Sequence, residues 1–363
     1  MEHPENDPNY IGLTVNSGVT QPPSINPYLK RKRRPLPSAA ELVAGILAGD
    51  ITMLSRAVTL VESLAAEHQA IAQEVIEKCL PYSGHSRRIG ITGVPGAGKS
   101  TSIDAFGLHV LKSGGKLAVL AIDPSSERTK GSILGDKTRM ERLAIHPSAF
   151  IRPSPSAGSL GGVARKTRET IVLCEAAGFN NIFVETVGVG QSETAVHSMV
   201  DFFLLLQLAG TGDELQGIKR GIMEMADGIV INKADGDNIN RAQLAQAQFR
   251  SALHLFPPTE SGWQPEVLTY SGYYELGIAE VWDMIDRYFD FVKSNGYFDR
   301  KRAIQARYWM RETIDEKLSR HFYDNPEIAS MLAEKEIRVL NNQQSSFTAA
   351  RDVLDAYFHS QNP

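Results

Sequence analysis

The sequence predicts an α/β fold in which a mostly parallel sheet is flanked by helices on both faces, with a helical hairpin ahead of it and a helical arm behind. Three observations predict it. Short β-rich runs alternate with helical stretches between Arg88 and Tyr270, the pattern of strands joined by crossover helices. A glycine-rich turn, Gly93 to Ser100, stands between the first of those runs and a helix. Beyond about Gly277 the β-rich runs stop and helical periodicity takes over.

Taken in order, residues 1–37 are rich in Pro, Asn and Ser and include the basic run Lys30-Arg31-Lys32-Arg33-Arg34, which reads as a disordered, solvated tail. In the helical region 38–84, Leu42, Ile46, Ile51, Leu54, Ala57, Val58, Val61 and Leu64 recur at helical spacing, broken by Gly49-Asp50 into two helices. The span 85–277 carries seven expected strands: Arg88 to Thr92, Leu117 to Asp123, Phe150 to Arg152, Ile182 to Thr186, Phe202 to Leu206, Ile229 to Asn232 and Val267 to Tyr270. The remaining span, 278–363, is expected to be helical over Val281 to Val292, Lys301 to Phe322 and Pro326 to Leu340. Its aromatics, Tyr308, Trp309, Phe322, Tyr323, Phe347, Tyr357 and Phe358, fit packing against the core or against a second subunit.

Composition narrows the function. The 363 residues, 42% hydrophobic, suffice for one full core plus additions. A net charge of -4 provides no global basic field, so nucleic acid is not an expected partner. No apolar run reaches the roughly 18 residues of a membrane span, and the N-terminal stretch carries the acids Glu2, Glu5 and Asp7, unlike a transit peptide. A cytoplasmic protein without a membrane partner is expected. The two cysteines, Cys79 and Cys174, lie in apolar or helical contexts without ligand spacing and read as reduced buried thiols.

Gly93-Val94-Pro95-Gly96-Ala97-Gly98-Lys99-Ser100 fits G-x-x-x-x-G-K-[ST] in the strand-to-helix context that a P-loop requires, and Thr101 follows it. The glycines let backbone N–H groups and a helix N-terminus face phosphate, Lys99 reaches the β and γ oxygens, and Ser100 ligates magnesium. A P-loop NTPase is therefore expected. Asn232-Lys233-Ala234-Asp235 follows another strand, at the carboxyl edge where ligands bind. A carboxylate at Asp235 accepts from guanine N1–H and the exocyclic amine. Adenine leaves it unpaired, a mismatch that discriminates by roughly 10⁴ or more. GTP and GDP are thus the expected ligands, with Ser271, Gly272 and Tyr273 placed to back the base by main-chain N–H.

Asp123, Asp136 and Glu185 converge near the phosphate edge, and with Ser100 they suit Mg²⁺. Glu185-Thr186-Val187-Gly188 resembles D-x-x-G with Glu in place of Asp, so that the Gly188 N–H could bond the γ-phosphate and release on its loss. Val189 stands where a water-orienting glutamine is found in Ras-type proteins. Slow intrinsic hydrolysis is expected, with Lys99 and with Glu185, Gln191 or a partner residue completing the catalytic site. For Asp136 and Gln191, ordinary loop polarity fits as well as catalysis.

These motifs, together with Asp123-Pro124-Ser125-Ser126, Gly131 to Met140, Glu185 to Glu193 and the helical segment Ser55 to Glu62, resemble the methylmalonyl-CoA mutase-associated GTPases, the MeaB/MMAA family once called transport kinases, over about residues 38–300. The resemblance implies a SIMIBI-class GTPase, homodimeric through C-terminal helices, that assists adenosylcobalamin loading and protection of methylmalonyl-CoA mutase. It also implies that Asp123, Asp136 and Glu185 serve the magnesium and switch regions, and that Leu208 to Lys219 is a further switch toward the mutase. Two features depart from the family pattern: Ser271-Gly272 replaces the commoner Ser-Ala, and the C-terminal third has few matching motifs. Alternatives from other classes are a nucleotide-dependent scaffold, a GTPase for another cobalamin mutase or a metal-insertion client, and a small-molecule kinase. The nine histidines form no nickel-binding tract, and no motif names a kinase's general base.

Overall fold

The computed structural model describes residues 36–123, 140–155, 160–186, 192–209 and 220–360. Asp136, Gly188, Gln191 and most of the expected switch 208–219 lie outside the described residues.

Residues 38–363 form one unit. It opens with α1 (Ala39–Leu47), α2 (Ile51–Glu62) and α3 (Ala66–Cys79). Ser38 and Glu41 close a capping box on α1, and the Asp50 carboxylate accepts the N–H groups of Thr52 and Met53 to start α2. Gly49, at φ +77°, turns the chain between them. The break at Gly49-Asp50 is where the sequence places it. The third helix is an addition to the expected hairpin: α3 buries only Ala72, Val75 and Cys79, too sparse a stripe to announce a helix from sequence.

The sheet has seven strands: β1 (Arg87–Gly93), β2 (Leu117–Asp123), β3 (Ala149–Pro155), β4 (Asn181–Thr186), β5 (Phe202–Leu208), β6 (Gly228–Asn232) and β7 (Glu266–Thr269). Their order is β3-β2-β4-β1-β5-β6-β7, and every pairing is parallel. β4 and β6 are buried along their whole length, because helices cover both faces. The intervening helices are α4 (Lys99–Lys112), α5 (Glu141–Ala144), α6 (Leu160–Ala176), α7 (Ser192–His197), α8 (Arg220–Met225) and α9 (Ile239–Leu253). Alternate residues divide the core into two. Ile182 and Val184 of β4 join Leu54, Val58 and Val61 of α2 and Ile171 of α6 on one face. Phe183, Ile89 and Ile91 join Ile103 and Phe106 of α4 on the other.

That second face is closed by α10 (Ile278–Ser294), whose Val281, Trp282, Ile285, Tyr288, Phe289 and Val292 lie in one stripe of the core. Then come α11 (Tyr297–Tyr323), α12 (Pro326–Leu340) and α13 (Ser346–Ser360). Three of these four helices fall where the sequence places them; α13 was not expected.

The amino edge of the sheet is held by an ion network. Glu175 of α6 takes two hydrogen bonds from the Arg88 guanidinium, at 2.9 and 3.0 Å, and one from Ser86 Oγ at 2.5 Å. Burial alone would raise the Glu175 carboxyl, but Arg88 and its hydrogen bonds hold it below the usual range. Arg302 of α11 donates to both oxygens of Asp201, at 2.9 and 2.8 Å, and to the carbonyl of Ser86 at 2.6 Å. Trp309 stands against both Arg88 and Arg168 at 5.6 and 5.7 Å and donates to Ser198 O at 3.0 Å. This aromatic therefore packs against the core. Phe322 and Tyr357 meet edge-on at 5.0 Å between α11 and α13, while Phe347 is 87% exposed.

Candidate nucleotide-binding site

At the carboxyl edge of the sheet, β1 runs into the turn 93–98 and α4 begins at Lys99. Gly98 caps α4 at φ +84°, and a Cβ there would lie 2.6 Å from Asn232 Nδ2. Only glycine satisfies both the left-handed backbone and the close approach. The Lys99 ammonium folds back onto the carbonyls of Gly93 and Val94 at 2.8 and 3.4 Å. Burial pulls its pKa below the ordinary lysine range, while the carboxylates of Glu185 and Glu193 act in the opposite direction. Glu185 is 4% exposed and Glu193 1% exposed. Along β4, Glu185 alternates with Phe183 onto the α4 face, and Thr186 points the other way, donating to Thr92 Oγ1 at 2.8 Å. Ser100 and Thr101 occupy the first turn of α4, partly buried and exposed respectively. Asp123 ends β2 beside the same edge. Val94 is half-buried, Pro95 and Gly96 are exposed, and Ala97 is buried.

Asn232, at the end of β6, is 3% exposed. Its Nδ2 donates to Ala97 O at 2.7 Å, and its Oδ1 accepts from Lys233 N at 2.8 Å and Gly272 N at 3.0 Å. One side chain thus fastens the phosphate turn to the loop after β7. Lys233 takes φ +59° and is exposed, a left-handed position that turns Ala234 and Asp235 back toward the sheet edge. The Asp235 carboxylate accepts from Ser271 Oγ at 2.6 Å, which fixes its rotamer. A carboxylate held this way is an acceptor fork for a ring N–H and an amine.

The loop after β7 is closed by reciprocal bonds between Ser271 and Leu276, at 2.9 and 3.1 Å. A Cβ on Gly272 would meet Ser102 Oγ at 3.3 Å and Ser102 Cα at 3.5 Å, so the loop lies directly on α4. The departure from Ser-Ala at this place therefore goes with a close backbone approach. Ser102 Oγ in turn lies 2.5 Å from the Tyr270 hydroxyl. Tyr273 is 80% exposed at the tip, edge-on to Tyr274 at 5.0 Å.

The P-loop, Glu185, the Asn232 to Asp235 run and the Ser271 to Tyr273 loop are thus brought to one edge. For Asp123 the strand position is given but not the side chain, and Asp136, Gly188 and Gln191 lie outside the described residues. Sequence reasoning missed three participants. Glu193 is a buried acid on α7, near enough to Lys99 to influence it. Ser102 and Tyr270 join α4 to the base-side loop. Glu193 left a trace, as an acid inside an otherwise motif-like run, and so did Tyr270, inside the run Thr269 to Gly272 that the sequence places behind the base.

The family model for "Methylmalonyl Co-A mutase-associated GTPase MeaB" matches residues 54–327. The chain belongs to the methylmalonyl-CoA mutase-associated GTPase family. A probable GTPase of Mycobacterium tuberculosis is 49% identical over 86% of this chain and 94% of its own length. GTPase ArgK of Escherichia coli is 46% identical over 87% and 96%. The mitochondrial methylmalonic aciduria type A homologue of Mus musculus is 43% identical over 87% and 79%. The crystal structure of a LAO/AO transport system kinase superposes with a TM-score of 0.70 at 39% identity, covering 88% of this chain and 97% of that one. As a member of this family the chain is a GTPase with a P-loop and a guanine-nucleotide site. No helix among the described residues is long and apolar enough to cross a membrane.

Proposed function

We propose that this GTPase is a cytoplasmic G protein that assists adenosylcobalamin loading and protection of methylmalonyl-CoA mutase. The observation that carries the nucleotide part is the double attachment of Asn232 to Ala97 O and Gly272 N, which sets phosphate and base subsites at a fixed separation. The mutase part rests on the family and on relatives bearing the methylmalonic aciduria name.

In this reading the backbone N–H groups of 93–98 and the start of α4 bind the β-phosphate. Lys99 leaves the Gly93 and Val94 carbonyls to bridge the β and γ oxygens, and its buried setting strengthens that contact. Asp235, oriented by Ser271, selects guanine, and Asn232, Lys233, Gly272 and Tyr273 frame it. The Ser100 hydroxyl and the Glu185 carboxylate are hard oxygen donors of the kind Mg²⁺ takes, with Asp123 and Asp136 as further acids. Bound Mg²⁺ would neutralise charge between the β and γ oxygens. Glu185 also favours the charged form of Lys99. Gln191 and Gly188 are assigned to the attacking water and the γ-phosphate.

The C-terminal helices supply a surface for a second copy. On α11, Ile304, Ile314 and Leu318 are 47–59% exposed and fall on the side away from Arg302, Gln305 and Trp309, which bond the core. We assign the homodimer to this arm.

The test is GTP turnover by the purified protein, alone and with adenosylcobalamin-dependent methylmalonyl-CoA mutase, with Lys99→Ala as the blank. Slow turnover that rises severalfold with the mutase is the expected result. Turnover indifferent to the mutase would leave the GTPase standing and remove this partner.

A further inference from the structure

The loop that backs the base is fastened at its tip by a residue that none of the nucleotide motifs contains. Arg142 lies on α5, in a part of the chain remote in sequence from both nucleotide subsites. Its Nε donates to Asp104 Oδ2 at 2.6 Å, and the Leu143 N–H donates to Asp104 Oδ1 at 3.2 Å. Asp104 is 7% exposed and sits on α4, one turn beyond Ser100. The other side of the same guanidinium grips the carboxylate of Glu275, at the tip of the Ser271–Leu276 turn. Glu275 takes φ +55°, a left-handed conformation uncommon for a side chain of this kind. Lys112, at the end of α4, lies 4.0 Å from the other Glu275 oxygen. Met140 and Leu143 are fully buried on either side of Arg142, so its backbone is fixed by packing.

A planar guanidinium can bridge two carboxylates that a lysine could reach only one at a time. Here the two belong to different subsites: Asp104 to the helix that carries Lys99 and Ser100, Glu275 to the loop that carries Ser271, Gly272 and Tyr273. The root of that loop is held by Asn232 and by the Ser102–Tyr270 pair. Its tip, with Tyr273 and Tyr274 largely exposed, is held to α4 through Arg142.

We propose that Arg142 is a positioning residue for nucleotide binding, which through Glu275 presets the base-side loop against the phosphate-side helix. This rests on the assignment of the base to Asp235 and Ser271 to Tyr273. Ordering the loop before the nucleotide arrives removes an entropy cost that binding would otherwise carry. The contribution therefore falls on affinity for GTP and GDP alike and not on the chemical step.

The test uses the full chain with Arg142→Ala, Glu275→Ala, the double variant and Arg142→Lys, measuring GTP and GDP dissociation constants, steady-state KM and kcat, and thermal melting. Each alanine variant is expected to raise both dissociation constants and KM by about three- to fivefold, the range for a partly exposed ion pair, with kcat within about twofold. The double variant is expected to be no worse than the worse single one, because both remove the same link, and Arg142→Lys to fall between wild type and alanine. Unchanged dissociation constants, a fall in kcat at constant KM, or additive effects in the double variant would overturn the proposal. Asp235→Ala separates the two levels: if it leaves GTP affinity intact, the base assignment itself fails; if it weakens GTP while the Arg142 variants do nothing, only the positioning role fails.

Discussion

The two edges of one parallel sheet are built on opposite principles. At the amino edge, Arg88, Glu175 and Asp201 are buried and Arg302 is half-buried, and they are paired with one another and with backbone carbonyls. At the carboxyl edge, the Lys99 ammonium rests on main-chain carbonyls, and Pro95, Gly96, Lys233 and Tyr273 are exposed. The charges of the first edge are committed to one another and fix α11 to the core. Those of the second are oriented yet available, as a ligand site requires. Stability and binding are thus divided along the strand direction, and substitutions at the two edges should be separable by readout.

The largest expected effect on function comes from the carboxyl edge. Lys99→Ala should lower GTP turnover by on the order of 10²-fold or more, the cost of removing a preorganised donor to developing phosphate charge. Its melting temperature without nucleotide should stay near wild type or rise, because Lys99 is desolvated and its hydrogen bonds among the described residues go to main-chain carbonyls. Steady-state hydrolysis and calorimetry on the same preparation check both halves.

The amino edge should show the inverse. Arg302→Ala leaves Asp201, 2% exposed, without its bidentate partner, and removal of one member of a buried pair costs about 3–5 kcal/mol. Denaturant unfolding should report that loss. The nucleotide affinity of the folded fraction should change less than about twofold. An equal loss of affinity would mean that the two edges are coupled.

A smaller effect lies between them. His197 ends α7, edge-on to Phe203 at 5.6 Å, and burial, with Lys301 adding to it, lowers its pKa to about 4. The unfolded chain takes up this proton near the ordinary value of 6.5, while the folded one does so only near 4. Stability contributed by the neutral ring is present above about pH 6.5 and is lost as pH falls toward 4. Over the full interval the linkage amounts to about 3 kcal/mol. His197→Phe should flatten that part of the stability profile between pH 4 and 6.5, read by urea unfolding at several pH values. A profile unchanged by the substitution would place the acid sensitivity elsewhere, with Glu175, whose carboxyl Arg88 holds below the usual range, the next group to examine.

The same division explains what the sequence could announce. All seven strands were legible because a sheet covered on both faces demands near-continuous apolar runs such as Phe202 to Leu206 and Gly228 to Ile231. The P-loop and the Asn232 to Asp235 run were legible because phosphate and guanine chemistry restrict residue type at fixed spacing. Contacts between distant elements were not. Arg302 with Asp201 and Arg142 with Glu275 join residues about a hundred or more positions apart, and neither member has a local pattern that names the other. α3 and α13 escaped for a different reason, since each buries too few apolar side chains to show a clear stripe. Trp309 was legible as an aromatic needing a partner, but not as the ring set between Arg88 and Arg168.

The central claim, a guanine-nucleotide site at the carboxyl edge held together by Asn232 and read by Asp235, is tested most directly by competitive binding of GTP and ATP to wild type and Asp235→Asn. Wild type should prefer GTP by roughly 10⁴-fold or more, since adenine leaves the Asp235 carboxylate unpaired. Asp235→Asn should lose most of that preference through weaker GTP binding, with ATP affinity little changed. Equal affinities in wild type, or a preference that survives the substitution, would contradict the assignment of the base to Asp235.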